Sequence, residues 1–118
     1  MARIHFSGPL VTANFGSVTQ ITSAATGVTL NTAAGVITTV TQNIAVGGEV
    51  QFTVTNDKVK ATDTVNLSIR SGSTGGTTIA SVTAVAAGSF QITLTNLHAA
   101  TAETGVLLIN FVVVGADV

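Results

Sequence analysis

Between Glu49 and Arg70, apolar and polar residues alternate with a period of two. Val50, Phe52 and Val54 are interleaved with Gln51, Thr53 and Thr55, and Val65, Leu67 and Ile69 with Asn66, Ser68 and Arg70. Successive side chains of an extended chain point to opposite faces, so this pattern predicts two strands, each with one face turned inward. The segment that joins them, 56–63, carries Asp57, Lys58, Lys60 and Asp63 and has no apolar period, which predicts a solvated loop.

The same reading places short strands over 18–22, 28–31, 36–41, 50–55, 64–70, 77–87, 90–96 and 105–114. Gly27, Gly35 and the pair Gly47-Gly48 precede strands, and Ser71 to Gly76 is a flexible turn. No segment joins an N-cap to an apolar stripe of helical period, and Leu97 to Glu103 holds a turn at most. About eight short strands with frequent turn signals define an all-β protein, an antiparallel sandwich or barrel. It forms one domain over 18–118, preceded by an arm over 1–17.

Two strands carry apolar residues on both faces. With Gly88-Ser89 as a two-residue type II′ turn, Val85 lies opposite Ile92 and Thr83 opposite Leu94. That register puts Ile79, Thr83 and Val85 on the core face with Phe90, Ile92 and Leu94, and turns Ala80, Val82 and Ala84 outward. Phe52, Leu67 and Ile69 join the expected core. In the last strand, Val106 to Val114, Asn110 is the one polar residue, and a strand apolar on both faces is covered on both sides. One sandwich supplies one cover, so the second is expected from a neighbouring subunit.

Residues 1–17 show no period. They hold Arg3, His5 and Pro9 among Ile4, Phe6, Leu10, Val11 and Phe15. Proline has no N–H to give a sheet and suits an extended arm or an edge. So much apolar surface is unlike a disordered tail. The arm is therefore expected to bury Ile4, Phe6, Pro9, Leu10 and Phe15 against a neighbouring subunit or an underlying surface; the alternative is that it completes the sandwich as an edge strand. With Ala80, Val82 and Ala84 these are the candidate contact residues. Removing 1–17 is expected to leave a folded sandwich without its anchorage.

Composition sharpens this. Charged residues make up 8% of the chain and the net charge is -1, against about 25% charged residues in an ordinary globular domain. Thr, Ser, Asn and Gln must then supply solubility, or other protein covers much of the outside; the second reading is adopted. So slight a charge gives no footprint for nucleic acid and no polybasic signal for a membrane. The run Val106–Val114 is far short of the roughly 20 residues of a membrane helix. The first residues lack the apolar core of a signal peptide, so synthesis in the cytoplasm is expected. With no Cys, neither a disulfide nor a thiolate site is available.

Candidate chemistry is sparse. His98, Asp63 and a Ser compose a triad on paper, without a nucleophile elbow. Asp57 and Asp63 offer carboxylates to Ca²⁺, but the loop lacks EF-hand spacing, and Lys58 and Lys60 would repel the ion. Gly72 to Gly76 lacks the Lys-Ser/Thr and the helix of a phosphate loop. Five Phe, three of them on expected strands, form no stripe for stacking bases or sugars. No catalytic residue, metal or cofactor is expected, and the chain is read as a non-enzyme.

Several segments carry a resemblance. His5-Phe6-Ser7-Gly8-Pro9-Leu10, Gly16-Ser17-Val18-Thr19-Gln20 and Ser23-Ala24-Ala25-Thr26-Gly27-Val28-Thr29-Leu30-Asn31 resemble the first part of small virion proteins encoded beside the major capsid gene in tailed phages, marine ones especially. Phe52-Thr53-Val54-Thr55-Asn56, Ala61-Thr62-Asp63-Thr64-Val65, Ala86-Ala87-Gly88-Ser89-Phe90 and Ile109-Asn110-Phe111 continue the likeness over nearly the whole chain. These motifs are rich in Thr, Gly and Val and moderately specific. The resemblance implies a capsid decoration, or cement, protein: a jelly-roll-like β-sandwich, commonly a homotrimer, seated on the outer capsid surface at three-fold or quasi-three-fold positions. It implies the major capsid protein as partner and no catalytic or metal residues. Related sequences also serve as tail-fibre or head-fibre modules, so a module that binds a host-surface receptor is the alternative.

Overall fold

A computed structural model describes residues 15–115. Its regular structure consists of β1 (Phe15–Thr19), β2 (Val28–Thr29), β3 (Ala34–Thr41), β4 (Glu49–Thr55), β5 (Thr64–Ser71), β6 (Thr78–Ala86), β7 (Ser89–Asn96) and β8 (Val106–Val114). One four-stranded sheet has the order β1-β3-β8-β5 and the other β2-β4-β7-β6. The chain changes sheet at every connection except the β6–β7 hairpin. The protein is thus all-β with eight strands in two sheets, close to the expected segmentation. β1 spans Phe15–Thr19, so residues 15–17 of the expected arm belong to the sandwich. Ile4, Phe6, Pro9 and Leu10 lie outside the described residues.

The sheets are mixed, which corrects the wholly antiparallel expectation. β8 pairs antiparallel with β3 and β5, and β7 with β4 and β6, but β1–β3 and β2–β4 run parallel. The reason is the crossing: each parallel pair is separated in sequence by one strand in the opposite sheet, so the chain reverses twice and returns in its first direction.

Ile37 of β3 and Leu107, Ile109 and Phe111 of β8 face Phe52 and Val54 of β4 and Phe90, Ile92 and Leu94 of β7, all of them buried. The rings of Phe90 and Phe111 meet across the two sheets, centroids 5.5 Å apart and tilted by 55°, a geometry that aromatic quadrupoles favour. Leu67 and Ile69 pack against this core half-exposed, because β5 is an edge strand. β4 and β7 end alike, in Phe52-Thr53-Val54-Thr55-Asn56 and Ile92-Thr93-Leu94-Thr95-Asn96. A buried Asn stands at the end of each, Asn56 just after β4 and Asn96 as the last residue of β7, and pins loops there. The Asn56 amide donates to the Thr32 carbonyl at 2.7 Å, and the Asn96 amide to those of Ile44 at 3.1 Å and Thr101 at 3.0 Å.

β6 departs from the expected register. The hairpin turns on Ala87-Gly88, and the left-handed residue is the second, Gly88 at φ 87°, so Val85 pairs with Phe90 rather than with Ile92. A bulge between Val82 and Ala84 then shifts the parity, pairing Val82 with Ile92 and Ala80 with Leu94. Ala80, Val82 and Val85 pack against the core, while Ile79 is 47% exposed. Ala80 and Val82 are therefore not outward contact residues; of the three, Ala84 alone is exposed. The bulge keeps the Thr83 hydroxyl out of the apolar interior, where it would cost free energy, and lets it bond to Gln91 and Thr93 side chains at 3.0 and 2.8 Å.

Phe52→Ala is expected to lower the unfolding free energy by roughly 3–5 kcal/mol, and Ile79→Ala by no more than about 1 kcal/mol. Urea denaturation of the two variants compares them; equal losses would return Ile79 to the core.

Candidate interaction surfaces

The outer faces of the two sheets differ in chemistry. On β2-β4-β7-β6 the outward residues include Thr53, Thr55, Gln51, Gln91 and Thr95, and a hydrogen-bonded row runs across the strands. The Gln91 amide donates to Gln51 at 3.4 Å, and Thr83 bridges Gln91 and Thr93. This face is polar apart from Ile79, and Gln51, Gln91, Thr83 and Thr93 are joined by hydrogen bonds.

On β1-β3-β8-β5 the register aligns Phe15, Ala34, Val112 and Asn66 in one row, and Ser17, Val36, Asn110 and Ser68 in the next. Leu107, Ile109 and Phe111 point into the core, so Val106, Leu108, Asn110, Val112 and Val114 form the outward side of β8. Phe15 is 59% exposed, Val112 47% and Val114 37%. β8 is thus apolar on both faces, as expected, with one face packed and the other open to solvent. β1, β3 and β8 contain no charged residue, and the only one on β5, Arg70, is exposed in the bulge near its end.

The two ends of the sandwich differ as well. At one, the 56–63 loop is tied down by backbone bonds from Asn56 to Gly88 and from Gly88 to Val59, and by the Asp57 N–H to the Asn31 side chain at 2.9 Å. Val59 is buried beneath it. Asp63 accepts the Lys60 N–H at 2.9 Å, and Lys58 and Asp57 form a loose, exposed pair at 3.8 Å, the one ion pair among the described residues.

At the other end three loops, 42–48, 72–77 and 97–105, meet on Glu103. Its backbone exchanges hydrogen bonds with Ile44. Its carboxylate, 1% exposed, accepts Ser73 Oγ at 2.7 Å and Thr78 Oγ1 at 2.6 Å, together with the N–H groups of Thr74 at 2.8 Å and Gly105 at 2.9 Å. Burial alone would raise its pKa, but the four donors outweigh it and hold the group at about 2, below its ordinary 4.5. Sequence reasoning passed over Glu103 as part of a loop. The only signal was a lone acid in a charge-poor stretch, and that signal does not reveal donors that lie 25 to 30 residues away.

His98 stands at this Glu103 end, its Nδ1 accepting the N–H groups of Ala100 and Thr101 at 3.0 and 2.9 Å. Asp63 lies at the charged end, so the paper triad of these two residues is not assembled. Among the described residues no three His, Asp or Glu side chains converge in a group able to hold a metal ion. Of the candidate contact residues, Phe15 stands on the open face of β1-β3-β8-β5. No protein family, no curated protein and no solved structure matches the chain.

The Glu103 carboxylate has a lower pKa folded than unfolded, so the stability it contributes is complete above about pH 4.5 and is lost as the pH falls toward about 2. The urea midpoint is expected to drop across that window. Glu103→Gln should begin lower at pH 7 and show a shallower drop. Parallel pH profiles for the two proteins would remove the carboxylate from this role.

Proposed function

We propose that this chain is a structural virion protein, a capsid decoration (cement) protein on the outer capsid surface that forms a homotrimer and stabilises the shell by bridging copies of the major capsid protein. The observation that carries this reading is the uncharged apolar outer side of β8, set against a polar, hydrogen-bonded face on the other sheet. A domain with one face to cover and one to show suits attachment to a surface. On a repeating lattice, weak contacts of many copies add up without any single strong site. The residue-level resemblance to small phage virion proteins points the same way. Under it the sandwich is taken as jelly-roll-like in the broad sense of two packed four-stranded sheets, with the parallel β1–β3 and β2–β4 pairs as departures. A tail-fibre or head-fibre module would instead present the row of Gln51, Gln91, Thr83 and Thr93 to a host-surface receptor.

Electron microscopy of purified virions tests the assignment. Density for the protein over the shell is expected; density confined to the tail would replace this reading with the fibre module. A variant lacking residues 1–14 keeps all the residues of the eight described strands. It is expected to keep a β circular dichroism spectrum and to lose binding to capsids stripped of the protein. Undiminished binding would remove the anchoring role from that segment.

A further inference from the structure

The exposed large apolar side chains are not spread evenly. Among the described residues, and apart from Ile21, they fall into two groups. Phe15, Val112 and Val114 stand on the outer face of β1-β3-β8-β5, toward the 56–63 end. Val46, Ile79, Leu97 and Val106 stand at the Glu103 end. Leu97 is 58% exposed and Val46 47%. The Gly47 N–H donates to the Asn96 carbonyl at 3.1 Å and the Asn96 N–H to the Gly48 carbonyl at 3.0 Å, so the backbones that carry Val46 and Leu97 run side by side. Ile79 pairs with Thr95, two residues before Leu97.

This end is also ordered before any partner arrives. The Asn96 amide ties it to the carbonyls of Ile44 and Thr101, the Gly48 N–H closes on the Ala45 carbonyl at 2.8 Å, and Glu103 fastens the 72–77 loop. Loops fixed in this way lose little freedom on binding. The three loops hold no Asp, Glu, Lys or Arg apart from the buried Glu103, and the exposed Glu49 and Arg70 lie at the strand ends beside them. An apolar centre with charges only at the rim is the composition of a protein–protein contact. A copy that bridges two capsomers needs two separated points of attachment, and the outer side of β8 supplies one. Of the other described surfaces, the outer face of β2-β4-β7-β6 is polar apart from Ile79, and the 56–63 end is charged. The 9 residues of β8 run from one apolar group to the other, roughly 26 Å at about 3.3 Å per residue.

We infer that the Glu103 end is a second attachment surface, centred on Val46 and Leu97, which takes an uncharged, apolar part of the major capsid protein in a second capsomer. The inference rests on the decoration reading and adds to it the place of the second contact.

The wild type is expected to bind stripped capsids and to raise the temperature at which the shell comes apart. The double variant Val46→Asp/Leu97→Asp should keep its β spectrum, bind at least about tenfold more weakly, as when apolar anchors are replaced by charges, and leave the shell as labile as without the protein. Thr53→Asp, on the polar outer face, should behave as wild type. Because the native chain has no Cys, labelling of Leu97→Cys with a maleimide reads the surface directly: the thiol should react in the isolated chain and be protected on the capsid. If the double variant does not fold, that protection decides alone. A double variant that binds and stabilises as the wild type does overturns the inference and leaves the decoration reading standing, and so does a Leu97→Cys thiol that stays reactive on the capsid. A thiol already protected in the isolated chain also overturns it, by making a second copy or residues 1–14 the cover. A Thr53→Asp loss as large as that of the double variant overturns it too. A wild type that does not bind stripped capsids removes both readings.

Discussion

Phe90 of β7 and Phe111 of β8 close the space between the two sheets, and the rest of the architecture follows from keeping those central strands packed. Each is flanked on both sides within its own sheet, β8 by β3 and β5, β7 by β4 and β6. Their inward residues Ile92, Leu94, Leu107 and Ile109 are buried completely. Burial of this kind is the main favourable term for a small domain. It leaves the edge strands freer, which is why β2 can shrink to two residues and Leu67 and Ile69 of β5 can stay half-exposed.

The connections pay for that core in polar groups. Changing sheets at nearly every step leaves loops at both ends whose backbone groups cannot join a ladder, and buried polar groups need partners. Asn56 and Asn96 meet this need with side-chain amides, and Gln20 does so at the β1–β2 loop, bonding the carbonyls of Ala24 and Thr26 and the Val40 N–H. Glu103 does it with a charge. A buried carboxylate without a cation is stable only when hydrogen bonds replace its hydration, and its four donors come from the 72–77 loop, the start of β6 and its own loop. The result is one end held by a buried carboxylate and its donors and another that carries the charged loop 56–63, so the molecule is asymmetric along its strands as well as across its sheets.

That double asymmetry frames the functional reading. One outer face carries a hydrogen-bonded row of Gln51, Gln91, Thr83 and Thr93, whereas the other carries bulky apolar side chains on its central strand. In a chain this poor in charge, an apolar face left to solvent would invite association. The proposed role makes use of that tendency, with the uncharged outer side of β8 as the attaching side and the repeating shell supplying the multiplicity.

The alternation of Val50, Phe52 and Val54 and of Val65, Leu67 and Ile69 determined β4 and β5 and their inward faces, because a period of two has one meaning in an extended chain. The turn residues likewise marked out eight strands, and the apolar run 106–114 identified β8 as two-faced. The sequence was silent where both parities were apolar. In Ile79–Ala86 either face looked fit for the core, and a one-residue bulge, which no period records, turned Ala80 and Val82 inward and Ile79 outward. Pairing within the sheets was equally hidden, since the parallel β1–β3 and β2–β4 ladders arise from where the chain goes between strands rather than from the strands themselves. Glu103 shows the same limit for a single residue. Its four donors come from both sides of it in the chain, and only the packing of loop 72–77 and the start of β6 against loop 97–105 at one end of the sandwich brings them to one carboxylate.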